Sequence, residues 1–384
     1  MSKQVFNYGA GPAMLPVPVM EQVRAEFLDY QGSGMSIIEM NHRKPYFMEI
    51  IAETKALFRE LLELPENYQV LFSHGGGAMQ FSSVPLNLMG GHPERKALYA
   101  NTGFFSQMAI EEARRFGKVE VIVSSEETGF DHIPHLDPAM VNGGANGGAN
   151  GGENGGENGG ANGGGAAYLH ITTNNTMMGT RWQEFPHPLS VPLVGDFTSE
   201  ILSRKVDATQ FGVLYAGFQK NLGPPGQSVI LIRDDLLEQA LPEIARQLSY
   251  GVLAETGSMP STPNVFNIWM NKLVLEWTRD QGGVEAMEAL SEKKAARIYG
   301  VIDASDFYTG HARPGSRSTQ NFTFGLPGAD LLAAFFAEAE AEELHGMAPP
   351  LMRQDVRASL YNAMPYEGAE TLASFMEEFE RRRG

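Results

Sequence analysis

Residues 215–224 read YAGFQKNLGP and place one lysine, Lys220, directly behind a short apolar strand. Upstream, residues 192–196 read PLVGD, a second apolar strand that ends in a lone acid, Asp196. Short apolar runs bounded by glycine and proline are typical of buried strands in an α/β fold. We therefore expect two buried strands that deliver one amine and one carboxylate to the same site.

An amine and a carboxylate delivered in this way are the groups that a pyridoxal phosphate enzyme needs. A lysine forms a Schiff base with the cofactor aldehyde, and a carboxylate keeps the pyridine nitrogen protonated so that the ring withdraws electrons. Lys205 is the competing lysine, but Lys220 is preferred because an apolar strand leads into it and the rigid sequence LGPPG follows. Taken alone, Lys220 is equally typical of a solvated loop, and Asp196 of a helix N-cap.

Two further strand ends carry groups that the same cofactor uses. After the strand-like residues 69–72, the chain passes through the glycine turn Gly75–Gly77 into a helix. Such a turn is an anion site, because unpaired backbone amides converge there and the helix dipole favours negative charge. The turn lacks the GxGxxG and GK[ST] patterns of nucleotide sites. Thr176 follows the strand at 167–171, where its hydroxyl is within reach of the ring oxygen.

The composition limits the kind of protein. The chain has 384 residues, 42% of them apolar, which suits a large domain plus a smaller one. Its formal charge of -17 disfavours a nucleic acid as partner, since a phosphate polymer is repelled overall. Cysteine is absent, which excludes disulfides, thiolate zinc sites and cysteine nucleophiles, and we predict no metal site. No apolar run suits a membrane span and no secretory signal opens the sequence, so we expect a cytoplasmic protein without a membrane partner.

Strand-like and helical segments alternate along most of the chain. Apolar residues recur at helical spacing over residues 46–63, which predicts an amphipathic helix. The alternation predicts an α/β fold with a mostly parallel, doubly covered sheet of seven strands and a smaller α+β domain at the C-terminal end. The strands are expected at residues 69–73, 96–100, 119–123, 167–171, 192–196, 212–217 and 228–232. The C-terminal part is expected to hold helices at 266–280, 283–300, 329–344 and 367–383 and strands at 321–326 and 356–361.

Residues 142–165 consist of six four-residue repeats that each begin with Asn-Gly-Gly. The tract has no apolar side chain larger than alanine to bury, and its glycines lose the most entropy on ordering. We predict a flexible surface loop inside the large domain. A calcium site would need acidic ligands at fixed spacing, and only Glu153 and Glu157 are present.

Five blocks of sequence carry a resemblance to a known family. They are NYGAGPAMLP at residues 7–16, EMNHR at 39–43, HGGG at 74–77, YAGFQKNLGP at 215–224 and RASLYNAMP at 357–365. In this order they resemble the phosphoserine aminotransferase family of class V, fold-type I pyridoxal phosphate enzymes, over nearly the whole chain outside the Asn-Gly-Gly tract. The resemblance implies a fold-type I large domain at residues 16–288, which contains the 142–165 loop, and a small domain formed by residues 1–15 and 289–384.

The resemblance also implies a role for each residue at the cofactor. Lys220 is the Schiff-base lysine and Asp196 the partner of the pyridine nitrogen, so both are catalytic, while Thr176 contacts the ring hydroxyl. Phe105 stands where the family stacks a tryptophan on the ring, and a phenylalanine stacks there with less area. The residues implied at the cofactor phosphate are Gly77, Ala78, Met79 and Gln219 in the same chain, and Ser261 and Thr262 from the neighbouring subunit of a homodimer. Ser261 replaces an asparagine of the family, and its hydroxyl is still able to donate a hydrogen bond.

Recognition of the substrate follows the family less closely. The residues that agree with family positions for the substrate phosphate and carboxylates are His42, Arg43 and Arg357. A guanidinium suits a carboxylate because it binds in a bidentate fork. Two family features are missing, because Pro350-Leu351 stand in place of a His-Arg pair and Ala78 stands where some members have an arginine. Arg353 is the candidate that replaces the missing charge.

The resemblance implies transamination between glutamate and 3-phosphohydroxypyruvate, which yields phosphoserine and 2-oxoglutarate for serine biosynthesis. Whether a phosphorylated substrate of vitamin B6 synthesis is also used stays open. An unphosphorylated acceptor such as glyoxylate is the alternative if Pro350-Leu351 empties the phosphate site. A non-catalytic protein that presents the Asn-Gly-Gly loop to a partner is disfavoured by the intact Lys220, Asp196 and Arg357. Cysteine desulfurase activity is disfavoured because no cysteine is present to carry the persulfide.

Overall fold

The computed structural model describes residues 5–142, 165–349, 353 and 355–384. Nearly all of the Asn-Gly-Gly tract and Pro350-Leu351 lie outside the described residues. The loop predicted for the tract and the effect predicted for Pro350-Leu351 therefore stay predictions.

The described residues form strands and helices that alternate as the sequence predicts. The strands are β1 (Phe6–Asn7), β2 (Tyr68–His74), β3 (Lys96–Asn101), β4 (Lys118–Ser124), β5 (Ala166–Thr172), β6 (Asn174–Asn175), β7 (Thr180–Arg181), β8 (Leu193–Asp196), β9 (Val213–Gly217), β10 (Gln227–Arg233), β11 (Thr309–Gly310), β12 (Asn321–Gly325), β13 (Leu344–His345) and β14 (Val356–Ser359). The α-helices are α1 (Val17–Glu26), α2 (Pro45–Leu61), α3 (Gly77–Leu88), α4 (Phe104–Ala113), α5 (Pro138–Asn142), α6 (Tyr250–Glu255), α7 (Val265–Asp280), α8 (Gly283–Ala304), α9 (Ala329–Ala341) and α10 (Tyr366–Arg383).

The main sheet has seven strands in the order β2-β10-β9-β8-β5-β3-β4, and all seven predicted strands are confirmed. Neighbours from β9 to β4 pair in parallel. β10 pairs antiparallel with both β2 and β9, so that β2 runs in the same direction as the parallel strands. Six strands therefore end at one edge of the sheet, where α/β folds place their ligands.

Helices cover both faces of the main sheet, which explains why its strands read as continuous apolar runs. On one face, α2 and α7 pack against each other and against the sheet. α2 begins at Pro45, a residue favoured at the first helical position, and buries the predicted stripe that includes Phe47, Ile50, Leu57 and Phe58. On the other face, residues of α3, α4 and α6 form a second layer of apolar packing.

A separate hydrophobic core lies in the C-terminal part of the chain. It packs α8, α9 and α10 against the three-stranded sheet β11-β12-β14, and Tyr8 from the N-terminal segment is fully buried within it. β1 pairs in parallel with β13. The predicted boundary at residues 288/289 falls inside α8, which is continuous there. The domain limits stay a prediction.

Among the described residues, no helix combines the length and the apolar character needed to span a membrane.

Candidate active site

Four strand ends of the main sheet surround one cavity of about 400 Å³. β8 ends at Asp196, and its partners in register across β5 and β9 are Thr172 and Tyr215. Lys220 follows β9 by three residues, so it emerges at the same edge. The predicted site residues that line this cavity are Gly77, Ala78, Phe105, Thr176, Asp196, Gln219, Lys220 and Arg357.

Lys220 is buried, with 6% of its surface exposed, and its amine faces the cavity. Its Nζ donates a hydrogen bond of 2.5 Å to Thr176 Oγ1. The ring centroid of Phe105 lies 5.4 Å from the same nitrogen. Burial lowers the pKa of Lys220 to about 7, which the charge of Asp196 opposes and the charge of Arg357 reinforces. A large part of this amine is therefore uncharged near neutral pH.

Asp196 is held in a tight turn at the end of β8. Its Oδ1 accepts a hydrogen bond of 2.9 Å from the backbone amide of Thr198, a local pattern that Asp favours. The Thr198 Oγ1 in turn accepts a hydrogen bond of 3.1 Å from the amide of Gly217, which ties β8 to β9. Burial raises the pKa of Asp196, whereas the hydrogen bonds from Thr198 and the charge of Lys220 lower it.

The first turn of α3 forms a cradle of backbone amides at the cavity wall. α3 begins at Gly77, and no side chain caps the preceding Gly76, so the amides of Gly77 and Ala78 are available to an anion, whereas the Met79 amide donates to the Gly76 carbonyl oxygen at 3.0 Å. A Cβ at Gly77 would lie 2.4 Å from Thr198 Oγ1, and one at Gly217 would lie 2.7 Å from the Gly77 nitrogen. Both positions therefore require glycine, because the backbone approaches its neighbours too closely for a side chain.

Arg357 presents an unpaired guanidinium to the cavity. It lies on β14 with 8% of its surface exposed. Its Nη1 donates to Met177 Sδ at 2.9 Å, and its buried Nε has no hydrogen-bond partner in the described part of the chain. Among the described residues, no carboxylate forms an ion pair with it. Because a buried charge is costly unless it is paired, the arrangement favours an anionic ligand that binds in the cavity.

Six predicted site residues lie at or near the surface of the single chain and do not line the cavity. Met79 is 41% exposed, on the outer side of the α3 turn. Arg353 donates to Asp355 rather than to the cavity. The other four are His42, which is partly buried, and Arg43, Ser261 and Thr262, which are exposed. Their roles, like those of the cavity residues, stay predictions.

The cavity also contains residues that the sequence reasoning missed. Thr198 completes the turn at Asp196, and the sequence pattern Asp-x-Thr after a strand is the signal that would have indicated it. Asn174 donates to Ser199 Oγ at 2.9 Å and to Asn321 Oδ1 at 2.7 Å, which connects the cavity with the C-terminal core. The Oδ1 of Asn174 is buried and has no hydrogen-bond partner among the described residues. Since Asn321 is distant in sequence, no local signal could reveal this contact.

The described residues fit pyridoxal phosphate. A free lysine amine suits the aldehyde, a buried carboxylate suits a protonated ring nitrogen, and the Thr176 hydroxyl suits the ring oxygen. The uncapped amides at Gly77 suit the phosphate. The buried Gln219 Oε1 has no hydrogen-bond partner among the residues that the structure describes, and Gln219 lines the same cavity. Among the described residues, no group of three or more His, Asp or Glu side chains is placed to hold a metal ion.

Comparison with known proteins places the chain among relatives that match its full length. The family model of class-V aminotransferases matches residues 5–137 and 163–372. A phosphoserine aminotransferase of Desulfotalea psychrophila is 44% identical over 99% of this chain and 98% of its own length. One of Listeria innocua is 43% identical over 99% of this chain and 98% of its own length.

Solved structures agree with the sequence relatives. The phosphoserine aminotransferase of Bacillus circulans subsp. alkalophilus superposes with a TM-score of 0.90 at 38% identity, over 100% of both chains. The enzyme of Trichomonas vaginalis, solved with pyridoxal phosphate bound, superposes with a TM-score of 0.84 at 30% identity, over 97% of this chain and 100% of that one. The chain therefore belongs to the class-V aminotransferases and, within them, to the phosphoserine aminotransferase family.

Proposed function

We propose that this chain transfers the amino group of glutamate to 3-phosphohydroxypyruvate, forming phosphoserine and 2-oxoglutarate in serine biosynthesis. The observation that carries the proposal is the cavity shared by Lys220 and Arg357, in a chain whose full-length relatives are phosphoserine aminotransferases. The free amine suits pyridoxal phosphate, and the unpaired guanidinium suits a carboxylate substrate. The cytoplasmic location expected from the sequence stays a prediction.

Bound pyridoxal phosphate supplies a ring that withdraws electrons from the Cα of the amino acid. Lys220 is suited to take and return the Cα proton, because its pKa of about 7 lies near the working pH of a general base. Thr176 holds the lysine amine at the cavity wall by its hydrogen bond. Asp196 holds a proton on the ring nitrogen, and the Thr198 amide stabilises the carboxylate in its charged form.

Arg357 is suited to bind the α-carboxylate that the amino acid and the 2-oxo acid share. Its planar guanidinium forms two parallel hydrogen bonds with a carboxylate, and burial strengthens them. Burial also lowers the pKa of Arg357, but a guanidinium stays protonated in proteins. Binding of the common carboxylate places Cα of either substrate at the same distance from Lys220.

We propose that a second copy of the chain completes the site. Within the described residues that line the cavity, Lys220 and Arg357 are the only cations, so a substrate phosphate needs further positive charge. His42 and Arg43 lie outside the cavity, in a segment that also exposes large apolar side chains. Those exposed side chains are Leu28, Met35, Ile38, Tyr46 and Met48. An apolar exposed segment is typical of an interface, and here it would carry two cations into the partner's site.

Steady-state kinetics with two acceptors test the proposed substrate. With glutamate as donor, we expect kcat/KM for 3-phosphohydroxypyruvate to exceed that for glyoxylate by about 100-fold or more. Glyoxylate has no phosphate, so the cations that would bind the phosphate stay unpaired when glyoxylate is bound. Equal or reversed preference would favour an unphosphorylated acceptor. Bleaching of the visible absorption by glutamate alone would still establish the amino-donor half of the reaction.

Mixing two inactive variants tests the shared site. Lys220→Ala and Arg43→Ala place their lesions in the same site of a hybrid dimer if Arg43 acts across the interface, and the second site is then intact. When equal amounts of the two variant subunits assort at random, about half of the dimers are hybrids, and each hybrid has one intact site. About one quarter of the wild-type active sites is then recovered. Activity that reappears on co-expression supports the proposal. Activity that stays at the sum of the separate variants would show that Arg43 acts within its own chain.

A further inference from the structure

Lys294 is a lysine buried in the C-terminal core, on α8. Its surface exposure is 0%. The amine donates three hydrogen bonds to backbone carbonyl oxygens, at 3.1 Å to Leu360, 2.7 Å to Tyr361 and 3.0 Å to Met364. Within the described part of the chain, no carboxylate forms an ion pair with it. A lysine amine is costly to bury, so a fully buried one with only carbonyl partners has to be accounted for.

The three carbonyl groups belong to one short segment, residues 360–364, which follows β14. Tyr361 of this segment has its ring centroid 6.0 Å from Lys220 Nζ. The hydroxyl of Tyr361 donates to the carbonyl oxygen of Ala10 at 3.1 Å, and it accepts from Asn321 Nδ2 at 3.2 Å. Ala10 lines the cavity. The segment that Lys294 holds therefore forms part of the surroundings of the catalytic lysine.

A second connection runs through the next residue. The amide of Asn362 donates to Asn221 Oδ1 at 3.0 Å, and Asn221 is the direct neighbour of Lys220 in sequence. Asn362 Nδ2 also donates to the carbonyl of Leu202 at 2.8 Å. Asn221 Nδ2 donates to the carbonyl of Ile201 at 2.9 Å, in the same loop after β8. These buried bonds tie the 360–364 segment to the loops that carry Lys220 and Asp196.

We propose that Lys294 is a positioning residue for the reaction: its amine fixes the 360–364 segment, and through Tyr361 and Asn362 it sets the placement of Lys220. The inference rests on the proposed role of Lys220. Lys294 does not line the cavity, so it would act through the 360–364 segment rather than by contact with substrate or cofactor.

The side chain at this position has to supply three converging donors. An ammonium group carries three N–H donors, whereas methionine has none and the donors of arginine lie in one plane. Burial lowers the pKa of Lys294 to about 7, and the three carbonyl oxygens favour its charged form. No other side chain of similar length reproduces this geometry.

The test compares Lys294→Met with Lys293→Met in the cofactor-loaded enzyme. Lys293 is the adjacent exposed residue on α8, where its amine lies 3.9 Å from the ring centroid of Tyr366. For Lys294→Met we expect kcat to fall by about tenfold with a smaller change in KM, as for an interaction that acts in the transition state. The visible absorption band of the holoenzyme should also shift its pH midpoint. Lys293→Met should leave kcat and the midpoint at their wild-type values.

Asn362→Ala provides a second route to the same answer, because it removes the hydrogen bond from Asn362 Nδ2 to the carbonyl of Leu202 in the loop after β8 and leaves Lys294 in place. We expect the same shift of the absorption midpoint and a lower kcat. In the double variant Lys294→Met/Asn362→Ala, the fold-loss in kcat should be smaller than the product of the fold-losses in the two single variants, as expected for residues that act through one path. If Lys294→Met does not fold, the result for Asn362→Ala decides the proposal.

A merely structural role of Lys294 predicts a different outcome. The melting temperature would fall, while kcat and the pH midpoint of the absorption band stay unchanged in the folded fraction. That result, or an unchanged midpoint in Asn362→Ala, would overturn the proposal. If Lys220→Ala loses all activity while Lys294→Met and Asn362→Ala keep wild-type kinetics, the proposed function stands and the positioning role of Lys294 is refuted.

Discussion

The two ends of the active site differ in how they are built. At the cofactor end, Lys220, Asp196 and Thr176 are each less than 10% exposed; Lys220 donates to Thr176, and Asp196 accepts from the amide of Thr198. At the substrate end, Arg357 faces the cavity, but His42 and Arg43 lie outside it. In the proposed shared site, the difference means that the reacting groups come from one chain, whereas part of the substrate contacts comes from a second copy.

The largest expected effect is at the cofactor end. Lys220→Ala should lower turnover by at least about 10³-fold, within the range of a positioned acid–base group, and should abolish the visible absorption of the holoenzyme. The matched control is Lys205→Ala, since Lys205 is an exposed lysine that pairs with Glu63 and Glu285. Stopped-flow and steady-state assays measure both. If Lys220→Ala keeps wild-type turnover, the reacting amine is not at the cofactor end of the site.

An intermediate effect is expected where the two ends meet. Arg357→Lys loses one bidentate hydrogen bond to the carboxylate, so kcat/KM for glutamate should fall by about 10- to 100-fold, the equivalent of about 1.5–3 kcal/mol for a bond to a charged group. Arg313→Lys is the control, because Arg313 is an exposed arginine that pairs with Asp131. Equal losses for the two variants with glutamate would contradict the assignment of the α-carboxylate to Arg357.

A smaller effect is expected in the phosphate cradle. Gly77→Ala places a Cβ 2.4 Å from Thr198 Oγ1, so the cradle has to shift. Overpacking of this kind typically costs about 1–3 kcal/mol, and a cost of about 1.4 kcal/mol, near the lower end, raises the dissociation constant for pyridoxal phosphate about tenfold. In Gly76→Ala the nearest atom would be Gln219 Oε1 at 3.6 Å, an ordinary contact. Titration of the apoenzyme with cofactor should therefore separate these neighbouring glycines, and equal affinities would argue against a phosphate at the α3 turn.

The smallest effect is a shift on the pH scale. The uncharged amine of Lys220 reacts with the cofactor aldehyde, so uptake of pyridoxal phosphate by the apoenzyme should speed up as the pH rises through about 7. Asp196 raises the pKa of Lys220, and Asp196→Asn should therefore move the midpoint of this rise to lower pH. A midpoint that moves upward or does not move would show that Asp196 does not act on the lysine charge.

Much of the cofactor end follows from local sequence. The seven strands of the main sheet were predicted because buried strands read as apolar runs, and residues just beyond a strand must emerge at its end. The position of β10 between β2 and β9 was not predicted, since strand pairing depends on the whole fold. The same holds for Asn174, whose partner Asn321 belongs to the distant C-terminal core.

The substrate end was less accessible to sequence reasoning. The family resemblance named His42, Arg43, Ser261 and Thr262, but within one chain these residues do not reach the cavity. Arg353, proposed from sequence as the replacement for a missing charge, is bonded to Asp355. Contacts of long polar side chains depend on the neighbours that loops and subunits bring, and these neighbours leave no periodic pattern in the sequence.

The proposed function requires that Lys220 binds pyridoxal phosphate covalently. Reduction of the holoenzyme with borohydride, followed by proteolysis and mass spectrometry of the peptides, tests it directly. We predict the phosphopyridoxyl group on Lys220 alone, and its loss when the enzyme is first treated with glutamate. The group on Lys205, on Lys294 or on no lysine would contradict the account.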